Sequence, residues 1–237
     1  MALSRMNRAG WAMMAAVCVT GGLAGSLQAA HLAMTNRALN DGFGPDAGAW
    51  RGSVVIAGAA FGDTVTAEVD WAAFAPGALQ QYLNDEGIAQ VAPGGPGEVT
   101  YVYQIVSVTS AGPGIDTLTV GVDPADARGT VSAPSFILTG AATERSPASG
   151  GDNTTSMAWF FNGTELQVGD TSSLLIFTSP RAPEFDFIQL NSGLAGPAVS
   201  PLVASPGGRL IPEPSSAVLA GLVLAVASGV RGRRRLR

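Results

Sequence analysis

EVTYVYQIVSVTS, residues 98–110, is the longest run of strand-forming residues in the chain. Its Val, Ile, Tyr and Thr side chains favour extended backbone, because branched and aromatic groups pack well on a pleated surface. Apolar residues occupy both parities, so both faces seek cover and the strand is expected at the centre of a sheet. PGGPG (Pro93–Gly97) before it and GPG (Gly112–Gly114) after it are turn clusters.

Upstream, TVTAEVDW alternates, with Val65, Ala67, Val69 and Trp71 on one face and Thr64, Thr66, Glu68 and Asp70 on the other. That is the pattern of a half-buried antiparallel strand with its polar side to water. WRGSVVIAGAA, from Trp50, reads as a first strand with small residues. Between them and the central strand, APGALQQYLNDEG, with Pro76 near a helix start and Gly87 after its end, reads as a short helix or a structured loop. Residues 31–49 read as a loose lead-in; NDGFGPD within it lacks the alternating acids and closing glutamate of an EF-hand, so it is a turn.

Downstream, Leu118, Val120 and Val122 share a face of IDTLTVGVD. PADARG is a turn, SFIL a short strand and ATERSPASGGDNTT a polar loop. SMAWFF and TELQV flank Asn162-Gly163, a hairpin signal. SSLLIFTS and FDFIQL complete the set, and Pro180 and Pro183 between them favour an edge or a crossover. Eight or nine short strands with hardly any helix predict an all-β fold, an antiparallel β-sandwich over residues 50–191. Residues 192–211, rich in Gly, Ala, Pro and Ser, read as a linker.

The two ends have a different character. Residues 1–30 fit a secretory signal peptide: Arg5 and Arg8 precede an apolar run from about Trp11 to Leu27, with cleavage expected near Ala29 or Ala30. An uncleaved anchor is the alternative. Cys18 comes too early in the run for a lipoprotein site. At the other end, Pro212-Glu213-Pro214-Ser215 leads into an uncharged run, residues 215–230, and then Arg231, Arg233, Arg234, Arg235 and Arg237. As a helix the run reaches roughly 24 Å, a little less than the ~30 Å hydrocarbon core. Thinning of the bilayer or the reach of arginine stems covers the difference. The arginine cluster is expected to stay cytoplasmic, which leaves the body outside.

This tail, residues 212–237, resembles the PEP-CTERM sorting signal of exported bacterial proteins. The resemblance implies processing near the triplet by an exosortase, a membrane cysteine protease-transpeptidase, with the cargo released or transferred to the cell surface or extracellular matrix. Tails of this kind also end proteins described as ice-binding. The strings VDWAAFAPG, YVYQIV, LTVGVD, WFF and LLIFTSP look like cargo domains that accompany such a tail, of immunoglobulin-like or jelly-roll appearance.

Composition narrows the partners. In residues 31–211, six arginines face seventeen acidic residues, a net charge of −11, and the chain has no lysine. An acidic body argues against nucleic acid and anionic membrane surfaces. With its one cysteine in the leader, the body excludes disulfides, iron–sulfur clusters and thiolate zinc sites. The single histidine, His31, lies beside the expected new N-terminus, a poor place for a hydrolase triad. There is no P-loop, dinucleotide fingerprint or HExxH.

No catalytic residue is therefore assigned. Asp63 with Glu68 and Asp70, Asp85 with Glu86, and Asp123 with Asp126 are the acidic pairs that a small glycan-active hydrolase could use. Asp116, Asp123 and Asp126 are candidates for a calcium-stabilised carbohydrate-binding module, although DPAD is also an ordinary turn. Trp50, Trp71, Tyr82, Tyr101, Tyr103 and Trp159 form either a sugar-stacking set or the core. The expectation is a non-enzymatic surface or matrix protein without cofactor. Its expected partners are the export machinery, exosortase, the membrane through its C-terminal helix, and extracellular polysaccharide.

Overall fold

A computed structural model describes residues 32–39, 49–60, 63–95, 97–122, 131–153, 155–193 and 198–210. The expected leader, residues 1–30, and the expected membrane helix, residues 215–230, lie outside them. No helix among the described residues is long and apolar enough to cross a membrane.

The described residues are mostly β. The first sheet has the order β1-β2-β3-β10-β5, built from β1 (Arg51–Ala60), β2 (Asp63–Phe74), β3 (Val99–Ser110), β5 (Ser135–Ile137) and β10 (Leu174–Ser179). The second has the order β12-β11-β4-β8-β7, from β4 (Thr117–Gly121), β7 (Ser149–Asp152), β8 (Ser156–Phe160), β11 (Arg181–Asn191) and β12 (Ala198–Leu210). All pairs in both are antiparallel. A small parallel pair joins β6 (Glu144–Arg145) to β9 (Thr171–Ser172).

β3 is central, as its composition predicts, and its two faces serve two cores. Tyr101, Tyr103 and Ile105 join Val69, Trp71, Phe177 and, from the second sheet, Leu118, Trp159 and Ile188 in one cluster. Val102, on the opposite face, joins Ala72, Phe74, Leu174 and Ile176 in a second cluster, under Leu32 and the helix residues Leu79, Tyr82 and Leu83. That outer cover explains why β10 is buried along its whole length.

The cover is a real helix, α1 (Ala78–Asp85). It stops in the way its glycine predicts. Gly87 takes φ 72°, the Ile88 N–H donates to Leu83 O (2.8 Å) and the Gly87 N–H to Asn84 O (3.2 Å). These two reversed bonds, with Ile88 packed on the outer cluster, make a Schellman stop.

The structure departs from the sequence expectations at several points. Residues 192–211 are not simply a linker, because Ala198–Leu210 forms β12 along β11, with Val203 and Ala204 in the main core. Small residues carry little strand signal, yet main-chain pairing at a sheet edge suits them. The lead-in is partly built in: Leu32–Met34 is a turn of 3-10 helix, Leu32 is buried, and Ala38 bridges to Phe74. Asn162-Gly163 makes a turn, with Gly163 at φ 79°, but no hairpin follows. β8 pairs with β4 and β7, and Leu166 leaves to bridge Ile115. The expected polar loop 142–155 contains β6 and β7. Pro180 does mark a crossover, from the first sheet to the second, but β11 lies inside its sheet rather than at an edge.

Candidate functional site

Several expected site residues lie outside the described residues: Pro212, Glu213, Pro214, Ser215, Arg231, Arg233, Arg234, Arg235, Arg237, His31, Asp123 and Asp126. Asp116 is described, and its groups close a loop. Its Oδ2 accepts the Gly193 N–H (3.0 Å), its own N–H donates to Asn191 O (3.0 Å), and its carbonyl accepts from Phe161 (2.7 Å). Among the described residues no three His, Cys, Asp or Glu side chains gather in a metal-holding group.

The acidic residues of the expected pairs that are described make separate contacts. The Asp63 side chain packs over Gly112, while the Glu68 carboxylate accepts the Ser53 hydroxyl (2.8 Å). Asp70 is buried rather than solvated, because the outer cover lies over this end of β2, and its Oδ2 accepts the Ala33 N–H (3.3 Å). Asp85 pairs with Arg37 (2.9 Å), whose guanidinium also donates to Gln81, tying residues 32–39 to α1.

Other carboxylates fasten loops. Glu144 accepts the N–H groups of Thr139 (2.9 Å) and Gly140 (2.8 Å), and Asp170 accepts the Gln167 N–H (3.0 Å) and Arg145 Nε (3.1 Å). Glu165 accepts the Gly163 N–H (2.9 Å), and backbone hydrogen bonds hold its carboxyl below the usual range.

The aromatic residues divide in favour of the core. Trp71, Tyr82, Tyr101, Tyr103 and Trp159 are buried, and only Trp50 is half-buried. Three of the buried rings carry a polar group from one sheet to the other. Trp159 Nε1–H donates to Ser135 O (2.8 Å), Tyr101 OH to Arg181 O (2.8 Å), and Tyr103 OH to Ala204 O. Burial pushes the Tyr101 and Tyr103 phenols up, and pushes Tyr82 up with help from the Glu86 and Asp70 carboxylates. Sequence reading missed Phe185, which is 54% exposed and packs tilted against Trp50 (4.9 Å) and edge-on to Trp71 (6.0 Å). A β-bulge between Asp186 and Ile188 shifts the alternation and turns Phe185 to that side.

The described part of the chain nearest the tail is β12, and its two halves differ. Val203 is fully buried, Ala204 O accepts the Tyr103 hydroxyl, and Ser205 OH donates to Gly121 O (2.5 Å). Up to that point the register against β11 is unbroken from Asp186↔Val203 to Glu184↔Ser205. Pro183 then faces Pro206, the register shifts, and the last pair is Arg181↔Leu210. Only Ile211 separates that pair from Pro212. No family model, no curated protein and no solved structure matches the chain.

Proposed function

We propose that this chain is an exported bacterial surface or extracellular-matrix protein whose C-terminal tail is a sorting signal processed by an exosortase. The observation that carries this reading is the order of residues 212–237: Pro-Glu-Pro-Ser, an uncharged run, then five arginines. The leader-like residues 1–30 support it independently, since both ends then direct the chain to the same side of a membrane. A body with no cysteine holds its fold by apolar burial and main-chain pairing, without disulfide formation after export.

We read the body as a β-sandwich of immunoglobulin-like or jelly-roll kind, supported by a single core that draws side chains from both five-stranded sheets. Its role is structural or adhesive. Several of the described carboxylates, Glu144, Asp170 and Asp116 among them, close turns and loops, which favours a non-catalytic role.

Replacing Pro212 and Pro214 together by alanine tests the sorting reading in producing cells. The variant is expected to accumulate in the membrane fraction with its tail attached, while the parent reaches the surface or medium without it. Identical fractionation of the two would overturn the reading. Binding of the recovered mature protein to polysaccharides or whole cells would separate an adhesive role from a passive one.

A further inference from the structure

We propose that Asn162 is a self-modification site, where the chain turns its own side-chain amide into a carboxylate with water as the only reactant, and that Glu165 slows the conversion. The sequence reads Asn162-Gly163 as a hairpin turn, yet β8 pairs with β4 and β7 instead, so strand pairing does not account for the pair.

Ring closure on an asparagine needs an uncrowded nitrogen on the next residue, a free side-chain carbonyl and access to water. Gly163 has no side chain, and apart from its chain neighbours nothing lies within 4 Å of the place its Cβ would take. Asn162, Gly163 and Thr164 are all exposed, and this is the only Asn-Gly pair in the chain. Other asparagines differ. Asn153 precedes a branched threonine, and its Oδ1 accepts the N–H groups of Thr155 (2.8 Å) and Ser156 (2.8 Å). Asn84 Oδ1 accepts from Gln80 (3.0 Å), and Asn191 Oδ1 accepts from Gln189 (3.1 Å). No side-chain hydrogen bond holds Asn162 among the described residues.

Once solvent base takes the Gly163 N–H proton, the nitrogen attacks Cγ of Asn162. The new N–Cγ bond closes a succinimide, and Nδ2 leaves as ammonia with a proton from water. Water then opens the ring at either carbonyl. Breaking the bond just formed gives aspartate; breaking the original peptide bond gives isoaspartate, with an extra carbon in the main chain.

Glu165 stands against the first step. The Gly163 N–H donates to its Oε1 (2.9 Å), so the proton to be lost is held and the anion left behind faces a charge of the same sign. Backbone hydrogen bonds hold that carboxyl below the usual range, which leaves it a poor base for taking the proton itself.

The ends of the turn give the product a consequence. The Thr164 N–H donates to Phe161 O (2.7 Å), and Phe161 and Leu166 are fully buried. Leu166 exchanges main-chain bonds with Ile115 (2.9 and 3.0 Å). An extra backbone carbon between these fixed ends breaks the closing bond and loosens the bridge. On the reading of the chain as exported, the change is a one-way mark of time spent outside the cell.

Full-length protein held in mildly alkaline buffer tests this by peptide mapping, which separates aspartate from isoaspartate at each position. Asn162 is expected to convert before Asn84, Asn153 or Asn191, with amide exchange quickening at Thr164 and Leu166 in the converted fraction. An Asn162 that keeps its amide for as long as those three keep theirs would overturn the site. Glu165→Ala, its sheet verified by circular dichroism, should convert about fivefold faster. Glu165→Gln, which keeps an oxygen acceptor and drops the charge, should fall between that variant and the parent. Equal rates in all three would overturn the part given to Glu165. None of these readouts depends on whether the tail is processed, so failure here leaves the sorting reading standing.

Discussion

Strands β3 and β12 enter the same fold on opposite terms. β3 sends Tyr101, Tyr103 and Ile105 into one core and Val102 into another, so its place is fixed by large side chains on both faces. In β12 the residues Val203 and Ala204 join the main core, Ala204 O accepts the Tyr103 hydroxyl and the Ser205 hydroxyl donates to Gly121 O, while the strand pairs along β11 through its main chain. Large apolar groups decide that a sheet exists. Main-chain pairing then recruits whatever lies at its edge, including a stretch with the composition of a spacer.

The largest test of the contrast is alkali. All three tyrosines of the chain are buried, and burial raises each phenol above its ordinary value. Unfolded, they ionise near pH ~10. The native state keeps protons that the unfolded state releases, so their contribution is complete below about pH 10 and is lost as pH rises toward the raised native values. Phenolate absorbance should therefore rise together with loss of the β-sheet circular dichroism. Three phenols titrating near their ordinary value in an intact sheet would contradict the cross-sheet roles of Tyr101 and Tyr103.

Trp159→Ala comes next. It empties the centre of the shared core and leaves Ser135 O without its donor, so a loss of about 3–5 kcal/mol is expected from denaturant unfolding. A loss under about 1 kcal/mol would mean that the two sheets do not depend on that ring.

Tyr103→Phe sharpens the comparison further. It removes only the hydroxyl that holds Ala204, at an expected cost of about 1–3 kcal/mol. Amide exchange should quicken around Val203–Ser205 while β3 stays protected. Equal quickening in both strands would contradict separate terms for the two.

The smallest effect belongs to Arg37 and Asp85, whose side chains are 40% and 53% exposed. A double-mutant cycle should give about 0.2–1 kcal/mol and shrink with salt. A larger coupling would promote the lead-in from cover to structural element.

The same contrast explains what could be read from the sequence. β3, β10 and the stop of α1 were legible because Tyr, Val, Leu and a single Gly87 state local preferences strongly. β12 was not, because Ala, Ser, Pro and Gly state almost none. The burial of Asp70 was hidden for another reason: alternation along β2 assigns it to water, and only the packing of Leu32 and α1 over that face reverses the assignment. The side that Phe185 takes was not legible, because a bulge breaks the two-residue period without a mark in composition. The candidate metal ligand Asp116 and the acidic pairs were visible as residue types, but their hydrogen-bond partners come from distant segments such as Gly193 and Ser53.

Most direct for the whole account is the intact mass of the protein recovered from the surface or medium of producing cells. The account expects a chain that has lost its first thirty or so residues and is cut beyond Leu210, with β12 retained and the arginine cluster gone. Recovery of the uncut 23.9 kDa chain from the cytosol, or of a mature form ending before Val203, would contradict it.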